Sequence, residues 1–329
     1  MRSKPSATDE ELLAELARRN VPCSATKLES WRRDGLAFRP KHVHLGRHGS
    51  TAVFEVELDT VADQVAAVAA RRRRGVPAAV AAVQITADGW PVADDDLVEQ
   101  GYQRLLGEIL GMFEVLVDAA RQPDDEDDLE VAERISTSLL ATKTKLTRVW
   151  AANLAAAPAP LAEPVTSVLA SAGTAMAQLL LGDDPHEDAV AEMVVAMGLG
   201  HLVDDLAREH GLTLIRQGFA RRPVLDRLRV AAEADADSIR AAGEIMSALW
   251  LLVEHWNLLP PQLATLKPSG DAPEAFVFNV AICLVFGAGG CYDVAGLVEA
   301  GSEAGVLDRA RAARVTAAAE RLRSATPME

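Results

Sequence analysis

Seven side chains between residues 27 and 48 carry the most usable chemistry of this 329-residue chain: Lys27, Arg32, Arg33, Arg39, Lys41, Arg47 and His48. They are cations and hydrogen-bond donors, the types that pair with phosphate and read base edges. Residues 18–50 hold eight Lys and Arg against two Asp and Glu, with His42, His44 and His48 in addition. Elsewhere the types that catalysis needs occur without a suitable arrangement. His201, Asp204 and Asp205 could offer metal ligands from one helical turn, with Glu192 and His210 in reach only if that helix continues. A metal centre needs three or four ligands held by further partners, so a polar helix face is the preferred reading. Asp183, Asp184, His186 and Glu187 read as a loop and helix start. The run Gly287-Ala288-Gly289-Gly290 lacks the Lys of a phosphate-cradling loop and reads as a close helix crossing. Cys291 has no placed base, and spacing supports no Ser-His-Asp set. No catalytic residue, metal or cofactor is expected, and the chain is not read as an enzyme.

Composition says what must position the basic residues. Alanine supplies 59 residues and aromatics only 4%, so the core is expected to form from many close helix contacts. An all-β fold is excluded. Net charge is −15, which by itself argues against nucleic acid. The total conceals a split: residues 1–75 carry 14 basic against 10 acidic groups, and residues 76–329 carry 19 against 38. A small basic head precedes a large acidic body, and the body is expected to repel phosphate. Three cysteines, odd in number and irregularly spaced, fit a reducing compartment. The start of the chain has no apolar core of signal-peptide length, and the uncharged stretch Pro164–Gly182 reads as a buried helix rather than a membrane span. The expectation is a soluble, cytoplasmic protein.

Periodicity then lays out the head. Residues 8–19 form an amphipathic helix with Leu12, Leu13 and Leu16 on one face; Asn20-Val21-Pro22 ends it. Ser24 can cap a second helix running to Asp34, and Gly35 supplies its stop. Alternation in 42–45 and 52–54 around Gly46–Ser50 predicts a β-hairpin. A helix over about 59–74 follows, with Val61, Val65 and Val68 in register. Another ends at Asp88-Gly89, and Asp94-Asp95-Asp96 starts a longer one through about Ala120. Beyond, helices alternate with loops, without a fixed repeat. The acidic run Asp124–Asp128 reads as a solvated helix start. The run Arg71–Arg74 spans a full turn, so its members cannot share one face.

The stretch Lys27-Leu28-Glu29-Ser30-Trp31-Arg32-Arg33-Asp34-Gly35-Leu36 resembles the MerR-type winged helix–turn–helix. The interval from Leu28 to Gly35 matches, Trp31 stands at the second aromatic, and Phe54 falls where the wing returns to an aromatic. The resemblance covers residues 8–90. The family's Arg after the Leu is Glu29 here, so the contact made by that Arg does not transfer, and its Glu after the aromatic is Arg32. It implies a winged helix–turn–helix with a hairpin wing; with the helical pattern beyond it, the expectation is a mostly α chain, a DNA-binding domain over 1–95 followed by an all-α acidic domain over 96–329 of no assigned relationship. It also implies sequence-specific binding of double-stranded DNA, as by a transcriptional regulator, through Lys27, Arg32, Arg33, Arg39, Lys41, Arg47 and His48. The body is expected to form a homodimer, sense a ligand or contact a partner, with core packing weighed against dimerisation for Ile245–Trp256 and Phe276–Phe286. Two other classes stay open: a mobile-element DNA-handling factor, and a helical ligand- or metal-binding enzyme with a non-functional basic head.

Overall fold

Small side chains let helices approach until their backbones touch, and this chain is assembled that way. The computed structural model describes residues 5–44, 50–121, 128–141, 165–196, 223–256, 267–287 and 294–325. The head begins with α1 (Ala7–Arg18), capped by the Ser6 hydroxyl, and α2 (Ala25–Arg33), capped by Ser24. A two-stranded antiparallel hairpin follows, β1 (Lys41–His44) and β2 (Ser50–Val53), with Lys41 opposite Val53 and His44 opposite Ser50. Then come α3 (Leu58–Arg71) and α4 (Ala78–Ala87). The long α5 (Asp95–Ala120) starts where expected, with the Asp94 carboxylate accepting from the Asp96 N–H. The third helix stops three residues short of the expected Arg74, because the Arg72 guanidinium turns back to Asp34 and to the Val76 carbonyl.

After α5 the described residues of the body form eight helices joined by turns: α6 (Asp128–Ala141), α7 (Val165–Leu181), α8 (Glu187–Val194), α9 (Val224–Ala231), α10 (Ala236–His255), α11 (Pro273–Gly287), α12 (Val294–Glu303) and α13 (Arg309–Ala325). Asp128 opens α6 as the acidic run suggested, while Asp124–Asp127 lie outside the described residues. The uncharged stretch is α7, and no helix among the described residues is long and apolar enough to cross a membrane. The apolar run Phe276–Phe286 lies within α11, which buries Phe276, Val277, Val280, Ala281, Cys283 and Val285.

One apolar core runs from Leu12 in α1 to Ala319 in α13, and a smaller one joins α7 to α8. The change of charge near residue 95 is not a break in packing. A Cβ on Gly101 of α5 would stand 2.1 Å from the Ala79 carbonyl oxygen of α4. Helix α11 packs against both α4 and α5. At the ends of α3 and α4, Arg71 pairs with Asp88 at 2.6 Å and with Asp271 of the loop before α11. The Gly270 N–H also donates to Asp88, at 3.1 Å. A Cβ on Gly270 would lie 2.6 Å from both Asp88 Oδ1 and the Gln84 carbonyl, so glycine is needed for that approach.

Two glycines of the same helix test this packing. Gly101→Ala has no room and is expected to destabilise the full chain by about 1–3 kcal/mol, the usual cost of overpacking. Gly107→Ala meets open space and is expected to stabilise it by about 0.5–1 kcal/mol through helix propensity. Urea unfolding followed by circular dichroism reads both; equal effects at the two positions would contradict the α4–α5 contact.

Candidate nucleic-acid interface

The turn between α1 and α2 is set by Asn20, whose φ of 57° is left-handed and suits a short polar side chain. The Val21 N–H then donates to the Leu16 carbonyl at 2.9 Å, closing the end of α1. Arg19 fastens that turn to α3: its guanidinium reaches Glu15 at 2.6 Å, Asp59 at 2.9 Å, and Asp63. Helix α2 buries Leu28 and Trp31. At about 100° per residue, its remaining outer arc of roughly 160° holds Glu29, Arg33, Thr26, Ser30 and Lys27. Lys27 and Arg33 are exposed, and neither forms an ion pair among the described residues.

Arg32 points the other way. Its side chain is 4% exposed; Nη2 donates to Asp9 at 2.7 Å and Nε to the Phe38 carbonyl at 3.0 Å. This corrects the expectation that Arg32 contacts DNA: its donors join α2, α1 and the segment that leads into the hairpin. The Gln64 amide, also buried, donates to the Leu36 carbonyl at 2.6 Å and holds that same segment from α3. The hairpin base is tied to α1 where the Thr8 hydroxyl donates to the Ala52 carbonyl. Phe54, just after β2, is half-buried against the core.

The other basic side chains divide between free and paired. Arg39 is exposed, with Glu29 at 3.9 Å. Lys41 is exposed and paired with Glu55. Arg47 and His48, between β1 and β2 in the sequence, lie outside the described residues. In the run Arg71–Arg74, Arg71 and Arg72 are held by Asp88, Asp271 and Asp34, and only Arg73 and Arg74 are exposed. Asp9 and Asp34, which commit two of these arginines, were not singled out from the sequence. The signal for Arg32 was available: four residues after Leu28, it falls on the buried face.

Elsewhere, His201, Asp204, Asp205, His210, Ala288–Gly290 and Cys291 lie outside the described residues. No group of three or more His, Cys, Asp or Glu close enough to hold a metal ion occurs among the described residues. His186 caps α8, its Nδ1 accepting from the Asp188 N–H. Burial pushes the Cys283 thiol up to about 12, so it stays protonated at neutral pH. In comparisons with known proteins, no family model matches the chain and no curated protein or solved structure is significantly similar to it.

Burial pushes the Asp9 carboxyl upward, but the hydrogen bond and charge of Arg32, with Ser6, outweigh it and hold Asp9 below its ordinary value. A depressed carboxylate adds stability above its unfolded value, near ~3.9. That stability is lost as pH falls through the lower folded value. Asp9→Asn leaves the Arg32 charge buried without its partner and is expected to cost about 3 kcal/mol at neutral pH. It also removes this pair's share of the acid sensitivity. Urea midpoints of both proteins across pH 2–7 check it; parallel curves would show that the pair does not couple to folding.

Proposed function

We propose that the chain binds double-stranded DNA sequence-specifically and acts as a transcriptional regulator. The head would serve as a MerR-like winged helix–turn–helix over residues 8–75. The observation that carries this reading is α2: apolar and ionically locked on its inner face, polar outside, with Lys27 and Arg33 free of carboxylates among the described residues. A helix of nine residues fits a major groove, and a hairpin anchored beside it can follow the adjoining backbone. The order α1, α2, hairpin, α3, α4 is that of the resemblance noted in the sequence. In this reading Lys27 reads base edges. Arg33, Arg39, Lys41, Arg47 and His48 meet phosphates, and Arg32 sets the angle of the reading helix without touching DNA.

A lone winged domain buries only about 600–1,000 Å² on DNA, so pairing two heads raises affinity strongly. The reading therefore includes a homodimer held through the helical body, working in the cytoplasm. Sedimentation equilibrium of the full chain tests the dimer.

Division of labour among the basic residues gives the sharper test. Genome-wide mapping supplies the preferred site; promoter sites support regulation, whereas attachment sites or origins would point to a DNA-handling factor. On that site Lys27→Ala is expected to cost roughly 1–3 kcal/mol more than on random duplex. Arg33→Ala and Arg47→Ala should weaken binding to both alike, each lowering the log–log salt slope by about 0.9. Arg32→Met, which keeps the bulk and removes the charge, should change the slope little while altering stability. Equal losses on both DNAs for Lys27→Ala would sink the assignment of α2 as the reading helix.

A further inference from the structure

The acidic average of the body hides a second reversal of charge. Residues 76–308 carry 14 basic against 36 acidic groups, a net of −22. Helix α13 (Arg309–Ala325) then carries Arg309, Arg311, Arg314, Arg321 and Arg323 against Glu320 alone, with no lysine. Elsewhere in the described body, arginines have acidic partners: Arg104 with Glu108, Arg121 with Asp128, Arg229 with Glu114, and Arg240 with Asp95. On α13, among the described residues, only Arg314 has one, Glu244 of α10 at 2.9 Å. Arg309, Arg321 and Arg323 are exposed and form no ion pair among the described residues.

Helix stability does not account for this pattern. Arginines at the C-terminal end complement the helix dipole, which covers Arg321 and Arg323. Arg309 stands in the first turn, where positive charge is disfavoured and where the Asp308 carboxylate already accepts from the Arg311 N–H at 2.8 Å. Packing does not account for it either, since α13 buries Val315, Ala318 and Ala319, on the opposite side.

The exposed face has a definite shape. At 100° per residue, Arg309, Thr316 and Arg323 run along one edge and Arg314 and Arg321 along the other. Ala310, Ala313, Ala317 and Ser324 lie between them, small enough for a close approach, and the exposed Glu320 beside the Arg309 edge is the one acidic group on the face among the described residues. Arg309 and Arg323 are about 21 Å apart along the axis at 1.5 Å per residue. Long side chains at that separation can reach the two phosphate rows bordering a major groove about 12 Å wide. Guanidinium without lysine suits bidentate pairing with phosphate oxygens.

We infer that the outer face of α13 is a second duplex-DNA contact, binding phosphates through Arg309, Arg321 and Arg323 without reading sequence. It deepens the proposed DNA-binding function and rests on it for the identity of the polyanion. It departs from the expectation that the whole body repels phosphate.

The test uses the full chain with random-sequence duplex, measuring affinity from low to moderate salt. Arg309→Gln/Arg323→Gln should keep the wild-type melting temperature and lower the log–log salt slope by about 1.8, for two phosphate contacts. Arg309→Lys/Arg323→Lys should retain most of the slope. Lys27→Ala/Arg33→Ala in the head serves as the separate arm. Loss in the head variant with none in the α13 variant overturns the inference and leaves the head reading standing. Loss in the α13 variant alone supports it while removing the head from DNA. Absence of duplex binding at low salt overturns both. Salt-sensitive self-association abolished by Arg309→Gln/Arg323→Gln, with DNA affinity unchanged, would assign the face to a second copy of the chain and overturn the inference.

Discussion

The buried pair between Arg32 and Asp9 is the interaction on which the head's geometry depends. An ion taken out of water costs several kcal/mol even after relaxation, and here Nε and Nη2 of Arg32 each have an acceptor while Nη1 faces Glu29 at 3.7 Å. One guanidinium spans α1, α2 and the Phe38 carbonyl, three parts of the chain that the small apolar set Leu12, Leu16, Leu28 and Trp31 could hold at more than one angle. Hydrophobic contact is non-directional, whereas a fork of N–H donors is not. The same arrangement recurs with Arg19 and with Arg72, each of which joins segments distant in sequence. Much of the head's positive charge therefore serves as internal carpentry, and the outward-facing remainder is smaller than the composition suggests.

The second determinant is the alanine and glycine content. Where α4 meets α5, and where α10 meets α11 at Gly243 and Phe276, a missing Cβ sets the distance between elements. Such contacts bury little area per residue but leave few voids, and their surface complementarity compensates for the scarcity of aromatic anchors. They also carry the core across the charge boundary, so a ligand or partner acting on the body has a packed route to α4.

Much of the fold was legible because the head uses local signals. Ser24, Gly35 and the Asp94–Asp96 start sit within one turn of the elements they bound, and those elements form as read. Tertiary pairing was not legible. No periodicity or cap signal tells that Arg71 ends on Asp88, 17 residues on, and on Asp271, 200 residues on, or that Arg72 leaves the helix for Asp34. The site shows the same limit: residue type alone makes Arg32 a donor for DNA, whereas its register with Leu28 places it inside. The arginines of α13 are hidden in the charge of the whole domain and stand out only along one helix face.

The link from Arg71 to Asp271 has a temporal side. The two residues are 200 positions apart, and synthesis proceeds at about 5–20 residues per second. On the order of 10–40 seconds therefore separates their emergence from the ribosome. Over that interval the ends of α3 and α4 exist without the loop that later caps them, while α5 follows α4 almost at once. The head is thus built to fold vectorially on its own neighbours first and to receive its last ionic restraint only when most of the body has been made.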